Sequence, residues 1–509
     1  MNVIKTEKPK EDHQNTPQIR IIEGSEKIIS QFSAYLQDES KLSAGDIQYL
    51  AFAETEKQVS EFLKDMSAKK IPVYVSNGRT GVVGGAVPKS GALLTVEKMD
   101  KILGTRNVND EIWIRCQAGV VLENLHKEAQ TSQGYFYPVD VTETSARLGG
   151  TVATNASGER SFKYGPTRKW VRSLRVVLSN GEVLEIERGR VFAESPSPQF
   201  EIIFTDGTKN TVKLPSYKMP DVKNASGYFS KPDMDLIDLF IGSEGTLGVI
   251  TEIEVALAKK PKNIMSVLSF FPEEKNALDF FFEAKSSLKS ALVFEYFDTG
   301  GLNILREKKE HEGSNSAIPD FSPQSKAAIL LEVEYVDETL DEISSILEKL
   351  LSKNGSSIDT SIAALEQKDI GKIRAMRHAL PEGINDTIAK NKRKYPSLHK
   401  ISADIAVPES KLLNMIEYYK SKLKPSNFQY TLFGHIGESH LHMNILPRDD
   451  AEFQKAKELH LDFAKKAVEL GGTISAEHGV GKIKHPYLEA MYGQEGLRQM
   501  ASVKKTLDS

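Results

Sequence analysis

The chain has 509 residues, and its 66 basic and 70 acidic side chains give a formal net charge of -4. This near balance argues against a nucleic-acid partner and against a polybasic surface that binds lipid. The single cysteine, Cys116, excludes an internal disulfide, and no apolar run is long enough for a signal peptide or a transmembrane segment. We therefore expect a cytoplasmic protein, with peripheral attachment at the inner membrane as the alternative.

A chain of this length predicts two or three domains. We expect an N-terminal arm with a short helix over residues 1–45, a glycine-rich domain over 46–260, a second domain over 261–470 and a C-terminal segment over 471–509. A helical pattern is predicted from Ala51 to Ala68. The stretch from Arg188 to Pro198 contains Ser-Pro-Ser-Pro and is predicted to be an exposed connection.

The first glycine-rich loop, Gly78 to Gly85, follows the apolar run Ile71 to Val75 and reads Gly-Arg-Thr-Gly-Val-Val-Gly-Gly. Glycines let the main chain adopt positive φ and bring N–H groups close to phosphate oxygens. The loop lacks the Lys-Ser/Thr ending of a P-loop and the spacing of a Gly-x-Gly-x-x-Gly fingerprint. Two later loops, Gly149 to Gly158 and Gly242 to Thr251, are also rich in small residues. Together the three loops favour a large cofactor over ordinary turns.

Two hairpins are predicted between these loops, with Asn180-Gly181 and Asp206-Gly207 as two-residue turns. After Pro261 the sequence alternates between apolar strands, at residues 263–271, 291–297 and 327–335, and amphipathic helices. This β-α-β texture predicts a sheet covered by helices on one side.

Histidines and a glutamate cluster late in the chain. Residues 433–444 contain His435, His440 and His442, and residues 475–479 contain Glu477 and His478. In a strand, His440 and His442 would lie on the same face, because side chains repeat every two residues. Imidazoles placed in this way can share a divalent cation with a carboxylate. The pattern favours a metal site, while for His440 a simple hydrogen-bonding role is equally open.

The three small-residue loops and the Glu-His-Gly unit resemble the vanillyl-alcohol oxidase and p-cresol methylhydroxylase flavoprotein superfamily. Within it the chain is most similar to the FAD-linked D-2-hydroxyacid dehydrogenase branch, over roughly residues 45–500. The resemblance implies an α+β fold. Residues 46–260 would form a two-part FAD-binding domain of the p-cresol methylhydroxylase type, and the following domain would be a ferredoxin-like α+β cap with an antiparallel sheet.

The resemblance also assigns residues to the cofactor. A non-covalent FAD is expected, because the first loop carries Arg79 and no histidine. The first loop would contact the pyrophosphate, the second the flavin and the third the adenine end. The residues assigned to FAD are Ser76, Asn77, Gly78, Arg79, Thr80, Gly81, Gly149, Gly150, Thr154, Asn155, Gly158, Glu244, Gly245, Gly248 and Ile250.

The same resemblance implies catalytic roles. His435, His442 and Glu477 would bind a divalent metal, zinc or manganese, and His478 would be the catalytic base. Arg377, Lys400 and Asn444 would contact the substrate. The chain departs from the family at His440 and Ser439, where asparagine and glycine are usual, and these residues bear on the choice of metal or substrate.

The implied reaction is oxidation of a small D-2-hydroxy acid, such as D-lactate or glycolate, to the 2-keto acid. Electrons would leave the flavin for a quinone, a cytochrome or an electron-transfer protein. The oligomeric state does not follow from the sequence, and a homodimer is one open option. Two alternatives stay open: a metal-dependent hydrolase that uses the histidine cluster, and a flavin-binding protein without dehydrogenase activity.

Overall fold

The computed structural model describes residues 2–12, 16–194 and 198–508. Residues 195–197, within the predicted exposed connection, lie outside this description. The strands are β1 (Val3–Lys5), β2 (Arg20–Glu23), β3 (Asp46–Phe52), β4 (Val73–Ser76), β5 (Ser90–Thr95), β6 (Ile102–Val108), β7 (Glu111–Gln117), β8 (Tyr135–Phe136), β9 (Val171–Val177), β10 (Val183–Glu187), β11 (Gln199–Ile203), β12 (Lys209–Lys213), β13 (Val249–Ala256), β14 (Ala258–Lys259), β15 (Asn263–Phe271), β16 (Ala291–Phe297), β17 (Ala327–Tyr335), β18 (Ile362–Ala364), β19 (Ile401–Ala406), β20 (Tyr430–Gly434) and β21 (His440–Ile445). The helices are α1 (Ser25–Phe32), α2 (Glu56–Ala68), α3 (Leu122–Thr131), α4 (Leu148–Thr154), α5 (Ser161–Tyr164), α6 (Ile237–Phe240), α7 (Glu274–Ser287), α8 (Thr299–Glu312), α9 (Asp337–Lys353), α10 (Gln367–Lys392), α11 (Leu412–Leu423), α12 (Asp450–Glu469) and α13 (Leu488–Leu507).

The two largest sheets of the glycine-rich domain have four and five strands, in agreement with its predicted two-part character, and the smaller sheets β1-β11-β12 and β14-β8 accompany them. One sheet has the order β2-β3-β5-β4, with β5 parallel to both β3 and β4. The other has the order β10-β9-β13-β7-β6, and each of its strand pairs is antiparallel. The side chains of both sheets share one buried apolar core with helices α2, α3 and α4. The three small-residue loops emerge beside this core.

The N-terminal residues are more ordered than the predicted arm. β1 pairs in parallel with β11, and β2 pairs antiparallel with β3. The predicted helix from Ala51 begins later, at Glu56, after the cap residue Thr55, whose hydroxyl accepts a hydrogen bond from the Gln58 amide. Ala51 and Phe52 belong to β3, because pairing with β5 overrides their helical spacing.

Both predicted hairpins are present, but each turn has three residues rather than two. The Leu178 amide donates to Glu182 and the Phe204 amide donates to Thr208, so the loops run over residues 179–181 and 205–207. Gly181 and Gly207 end these loops with φ values of 77° and 87°. A three-residue loop that ends in a left-handed glycine is the next most common hairpin connection.

The second domain is built on a sheet of the order β18-β15-β17-β16-β20-β21-β19, in which the paired strands are antiparallel. The prediction of helices on one side only is wrong. Helices α7, α9, α11 and α12 pack on one face of the sheet, and α8 and α10 pack on the other. Alternate β15 residues, such as Val267 and Leu268, belong to the two separate cores.

The C-terminal segment connects the two domains. The Thr473 amide donates to Ala406 of the second domain. Ser475 accepts a hydrogen bond from the Ala225 amide, and the Lys482 amide donates to Val83, both in the first domain. Residues 473–482 therefore run along the boundary between the domains. The predicted domain limits at residues 45, 260 and 470 stay predictions.

Candidate active site

A cavity of about 390 Å³ lies where the three small-residue loops meet. Its lining includes almost all the residues that the sequence assigns to a cofactor, and it also includes Glu477 and His478. A neighbouring cavity of about 1120 Å³ shares Val75, Gly85 and the third loop with it. The two cavities together form an extended space, which suits a long ligand with chemically different ends.

The lining has the properties expected of a dinucleotide site. A Cβ atom added at Gly81 or Gly150 would meet no other atom within 4 Å, so these glycines border open space. The Ser76 hydroxyl and the side-chain Oδ1 of Asn77 are buried and make no hydrogen bond within the described residues. Buried polar atoms of this kind normally have partners, and phosphate or ring atoms of a bound ligand would supply them. The residues present therefore fit FAD.

Four residues assigned to the cofactor also have structural contacts. Asn155 adopts the left-handed conformation at the end of α4 and accepts a hydrogen bond from the Arg168 amide. A Cβ at Gly158 would lie 1.7 Å from the Asp140 carbonyl oxygen, so this glycine permits close packing. Neither Asn155 nor Gly158 lines the cavity of about 390 Å³. Arg79 lines it, but its guanidinium donates to Glu97 at 3.0 Å and stacks on Tyr35.

Glu244, the fourth of these residues, links the third loop to the C-terminal segment. Its carboxylate accepts hydrogen bonds from the Val480 and Gly481 amides, both at 2.8 Å. Glu244 has a φ of 53°, a left-handed conformation that is uncommon for a residue with a side chain. Gly479 packs against this carboxylate, since a Cβ there would lie 3.1 Å from Glu244 Cδ. This contact fixes the segment that carries His478 against the cavity.

A cluster of three histidines and one glutamate lies next to the cavity. One potential ligand atom from each of His435, His440, His442 and Glu477 lies within 4.8 Å of every other. His435 Nε2 is 3.1 Å from Glu477 Oε1, and His442 Nε2 is 3.8 Å from Glu477 Oε2. All four side chains are buried. The cluster has the nitrogen and oxygen donors and the size required to bind a divalent cation.

Two buried carboxylates orient the histidines from outside the cluster. Glu295 on β16 contacts His435 Nδ1 at 2.5 Å, and Asp404 on β19 lies 2.9 Å from His440 Nε2. Asp404 also accepts hydrogen bonds from the Lys484 ammonium at 2.8 Å and from the His478 amide at 2.9 Å. Carboxylates of this kind fix the tautomer and the direction of a ligating imidazole.

The charges around the cluster favour a cation at its centre. Burial alone would lower the pKa of His435, but Glu295 and Glu477 raise this pKa to about 10. Burial would raise the pKa of Glu477, yet His435 and Lys223 hold it well below its ordinary value. In the chain without metal the two carboxylates thus retain a proton on His435. A divalent metal would compete with that proton.

Lys223 reaches the cluster from the first domain. Its ammonium, which is almost fully buried, donates to Glu477, to Glu438 at 3.0 Å and to the Ser161 hydroxyl at 2.9 Å. Burial lowers the pKa of Lys223, but Glu438 and Glu477 raise it above the ordinary value. The lysine therefore remains charged and ties Glu477 to both domains.

The other predicted catalytic residues have different surroundings. Arg377 on α10 is buried, and its Nε donates to Glu295 at 2.6 Å, which connects it to His435. Asn444 lies on β21 with its side chain buried, two residues after His442. Lys400 is not brought to the cluster. Its ammonium contacts Asn385 Oδ1 at 3.3 Å. Three residues of β19 lie between Lys400 and Asp404, so the two are about 13 Å apart along the extended chain.

Known proteins agree with this architecture. The FAD binding domain model matches residues 47–187, and the model of the C-terminal domain of FAD linked oxidases matches residues 260–509. A D-lactate dehydrogenase of Anaerostipes hadrus is 31% identical over 480 residues, which cover 91% of this chain and 87% of that protein. This chain belongs to the FAD-linked oxidases.

Other relatives of this FAD-linked oxidase extend the comparison. The glycolate oxidase subunit GlcD of Bacillus subtilis (strain 168) is 28% identical over 455 residues, covering 89% of this chain and 84% of that protein. Among solved structures, an alkyldihydroxyacetonephosphate synthase aligns with a TM-score of 0.57 and 16% identity, over 89% of this chain and 76% of that one. The structural match supports the fold alone. The predicted family, the α+β fold and FAD binding are confirmed, and the chain is an oxidoreductase.

Sequence reasoning missed several residues of this FAD-linked oxidase site. Glu295 and Asp404 were not predicted, although each is the one acidic residue of a mainly apolar strand. Such a residue signals a buried, paired charge. The sequence around Lys223 and Lys484 did not indicate a buried charge, because lysines are common in connecting segments.

Within the described residues, no helix is both long and apolar enough to cross a membrane.

Proposed function

We propose that this FAD-linked oxidase oxidises a small D-2-hydroxy acid, such as D-lactate or glycolate, to the corresponding 2-keto acid. The observation that carries the proposal is the continuity of the cofactor cavity with Glu477 and His478. A substrate bound there would lie between a flavin ring and a basic side chain. The names of the relatives, D-lactate dehydrogenase and glycolate oxidase subunit, support the same substrate class.

The three loops would hold FAD non-covalently, and the flavin ring would supply the hydride acceptor for C2 of the substrate. His478 removes the proton of the substrate hydroxyl. Burial, together with Lys484, lowers the pKa of His478, although Asp404 opposes the shift. The imidazole is therefore neutral at pH 7 and can accept a proton. About a third of the His478 side chain is exposed toward the cavity side, which leaves room for a substrate.

His435, His442 and Glu477 would hold a divalent metal beside His478. Zinc or manganese held there would lower the pKa of the substrate hydroxyl group and so assist its deprotonation. Glu295 and Lys223 orient two of the ligands before any metal arrives. Preorganisation of this kind reduces the cost of binding.

Arg377 is proposed to bind the substrate carboxylate. Its Nε donates to Glu295, so the two Nη groups of the guanidinium can donate to a second carboxylate. Asn444 is proposed as a further polar contact. Lys400 would need another conformation of the segment before β19 to reach the substrate. The electron acceptor is proposed to be a quinone, a cytochrome or an electron-transfer protein, and the assembly a homodimer in the cytoplasm or at the inner membrane.

Replacement of the base tests the proposal. We expect His478→Ala to abolish dye reduction by D-lactate or glycolate while the FAD content stays at the wild-type level. His399→Ala is a suitable control, because that histidine lies on the surface of the second domain, against Phe453. Normal turnover in His478→Ala would remove His478 from the mechanism. Colourless protein that hydrolyses a phosphorylated substrate would instead support the metal-dependent hydrolase.

A further inference from the structure

We infer that His440 is a fourth protein ligand of the metal, which is then held by three imidazoles and one carboxylate. The inference rests on the metal site of the proposed function and extends it. The position usually carries an asparagine in the family that the sequence resembles, so the extra imidazole is a property of this chain. Three features of His440 support it: its position in the cluster, an Nδ1 without a hydrogen-bond partner among the described residues, and a carboxylate beside its outer nitrogen.

The geometry places His440 inside the cluster. Its side chain is 0% exposed, and its Nδ1 lies 3.7 Å from Glu477 Oε1. The centre of its ring is 4.5 Å from that of His442 and 5.4 Å from that of His435. The ligand atoms of the four residues are thus close enough to approach one ion after small adjustments. A zinc ion with ligands about 2.0–2.1 Å away would separate pairs of donor atoms by about 3.3 Å.

The hydrogen bonding of His440 points to the same role. Within the described residues Nδ1 has no hydrogen-bond partner, whereas Nε2 faces the Asp404 carboxylate at 2.9 Å. A role in hydrogen bonding alone would require Nδ1 to have a donor or acceptor partner, because burying an unpaired polar atom costs about 1–3 kcal/mol. A metal at the centre of the cluster would provide that partner.

The surroundings of His440 resemble those of His435, because each imidazole has a buried carboxylate beside its outer nitrogen. The Asp404 carboxylate lies next to His440 Nε2, as the Glu295 carboxylate lies next to His435 Nδ1. In each case the outer nitrogen faces a buried acid and the other nitrogen faces Glu477. This arrangement of carboxylate, histidine and metal is typical of ligating imidazoles. Because imidazoles suit zinc and oxygen ligands suit manganese, the third imidazole favours zinc.

The test measures metal binding without turnover. The FAD-loaded wild type and His440→Asn are stripped of metal, and their zinc affinities are measured by competition with a chromophoric chelator. Loss of an outer partner of a ligand typically costs 10–100-fold in affinity, so we expect a loss of at least about 10-fold in His440→Asn. His460→Asn is the control, because His460 is a buried histidine on α12 whose Nδ1 contacts the Tyr487 hydroxyl at 3.1 Å. It should bind zinc as the wild type does.

X-ray absorption of the zinc-loaded wild type gives a second measurement that does not depend on the folding of a variant. Three imidazole ligands around zinc support the inference, and two overturn it. Equal zinc affinity in His440→Asn and the wild type also overturns it, while leaving the three-ligand site of the proposed function intact. A wild type that binds no divalent metal would contradict both the four-ligand site and the three-ligand site. If that protein is yellow and oxidises hydroxy acids, only the flavin part of the proposed function stands.

Discussion

Neighbouring charges set the protonation of the buried histidines in opposite directions. His435 lies between Glu295 and Glu477, which raise its pKa to about 10. Among the described residues, no carboxylate forms an ion pair with the His460 ring, and burial, with a smaller effect of Lys484, lowers the pKa of His460 to about 4. Two buried histidines of this protein therefore have different protonation states because their neighbours differ. A proton or metal is retained at His435, while His460 is a neutral packing residue.

The low pKa of His460 predicts a pH dependence of stability. An unfolded histidine titrates near pH 6.5, so between about pH 6.5 and pH 4 the unfolded chain binds a proton that the folded chain does not. The free energy of unfolding should fall as the pH falls through this window, by up to about 3 kcal/mol from this residue, and level off below it. Urea unfolding at several pH values measures the effect.

His460→Gln isolates this contribution, since glutamine can still hydrogen-bond Tyr487 but does not titrate. The free energy of unfolding of the variant should depend less on pH between 4 and 6.5 than that of the wild type. His311→Gln, at an exposed position on α8, is the matched control and should follow the wild type. Identical pH profiles for His460→Gln and the wild type would show that His460 is not buried as a neutral group.

At the scale of elements, local patterns predict the buried strands well. β15, β16 and β17 begin and end where the apolar runs 263–271, 291–297 and 327–335 begin and end. These runs are long, rich in apolar and aromatic side chains, and bounded by polar or proline residues, so little competes with the strand. The small-residue loops could also be predicted from the sequence. All the residues assigned to FAD except Asn155 and Gly158 line the cavity of about 390 Å³.

The features that the sequence did not predict depend on contacts between residues far apart in the chain. β1 is a strand only because β11 lies beside it. α8 and α10 cover the second face of the cap sheet because both faces of its strands are apolar. Glu295 and Asp404 acquire their roles from histidines more than 30 residues away. None of these pairings follows from local spacing.

The contact between Glu244 and the C-terminal segment predicts a local effect. Burial raises the pKa of Glu244, although the Val480 and Gly481 amides oppose the shift. Glu244→Ala would leave these two amides without their acceptor, at a cost of about 1–3 kcal/mol for each unsatisfied group. Hydrogen exchange at Val480 and Gly481 should become faster, while exchange in β15 to β17 stays unchanged.

Glu495→Ala is the control for this experiment, because Glu495 lies in the same C-terminal region but is exposed on α13, where its carboxylate accepts hydrogen bonds from the nearby Arg498 and Gln499. Unchanged exchange at Val480 and Gly481 in Glu244→Ala would mean that other contacts hold the segment. FAD content is measured in parallel, since Glu244 also lines the cavity.

At the scale of the whole molecule, the candidate site is assembled from three parts of the chain. The first domain contributes the glycine-rich loops and Lys223, the second contributes Glu295, Asp404 and the histidines, and the C-terminal segment contributes Glu477 and His478. A cofactor and a metal bound at this boundary would stabilise the folded chain by mass action, by about 2.7 kcal/mol at a ligand concentration of 100 Kd. The function proposed here requires all three parts to be in place.

The most direct measurement is an anaerobic titration of the purified FAD-bound protein with 2-hydroxy acids, followed by the visible absorption of the flavin. We predict that D-lactate, the achiral glycolate or another small D-2-hydroxy acid bleaches the flavin stoichiometrically, and that an added dye restores the colour. L-lactate should bleach the flavin far more slowly. A flavin that stays oxidised with every D-2-hydroxy acid tested would contradict the account.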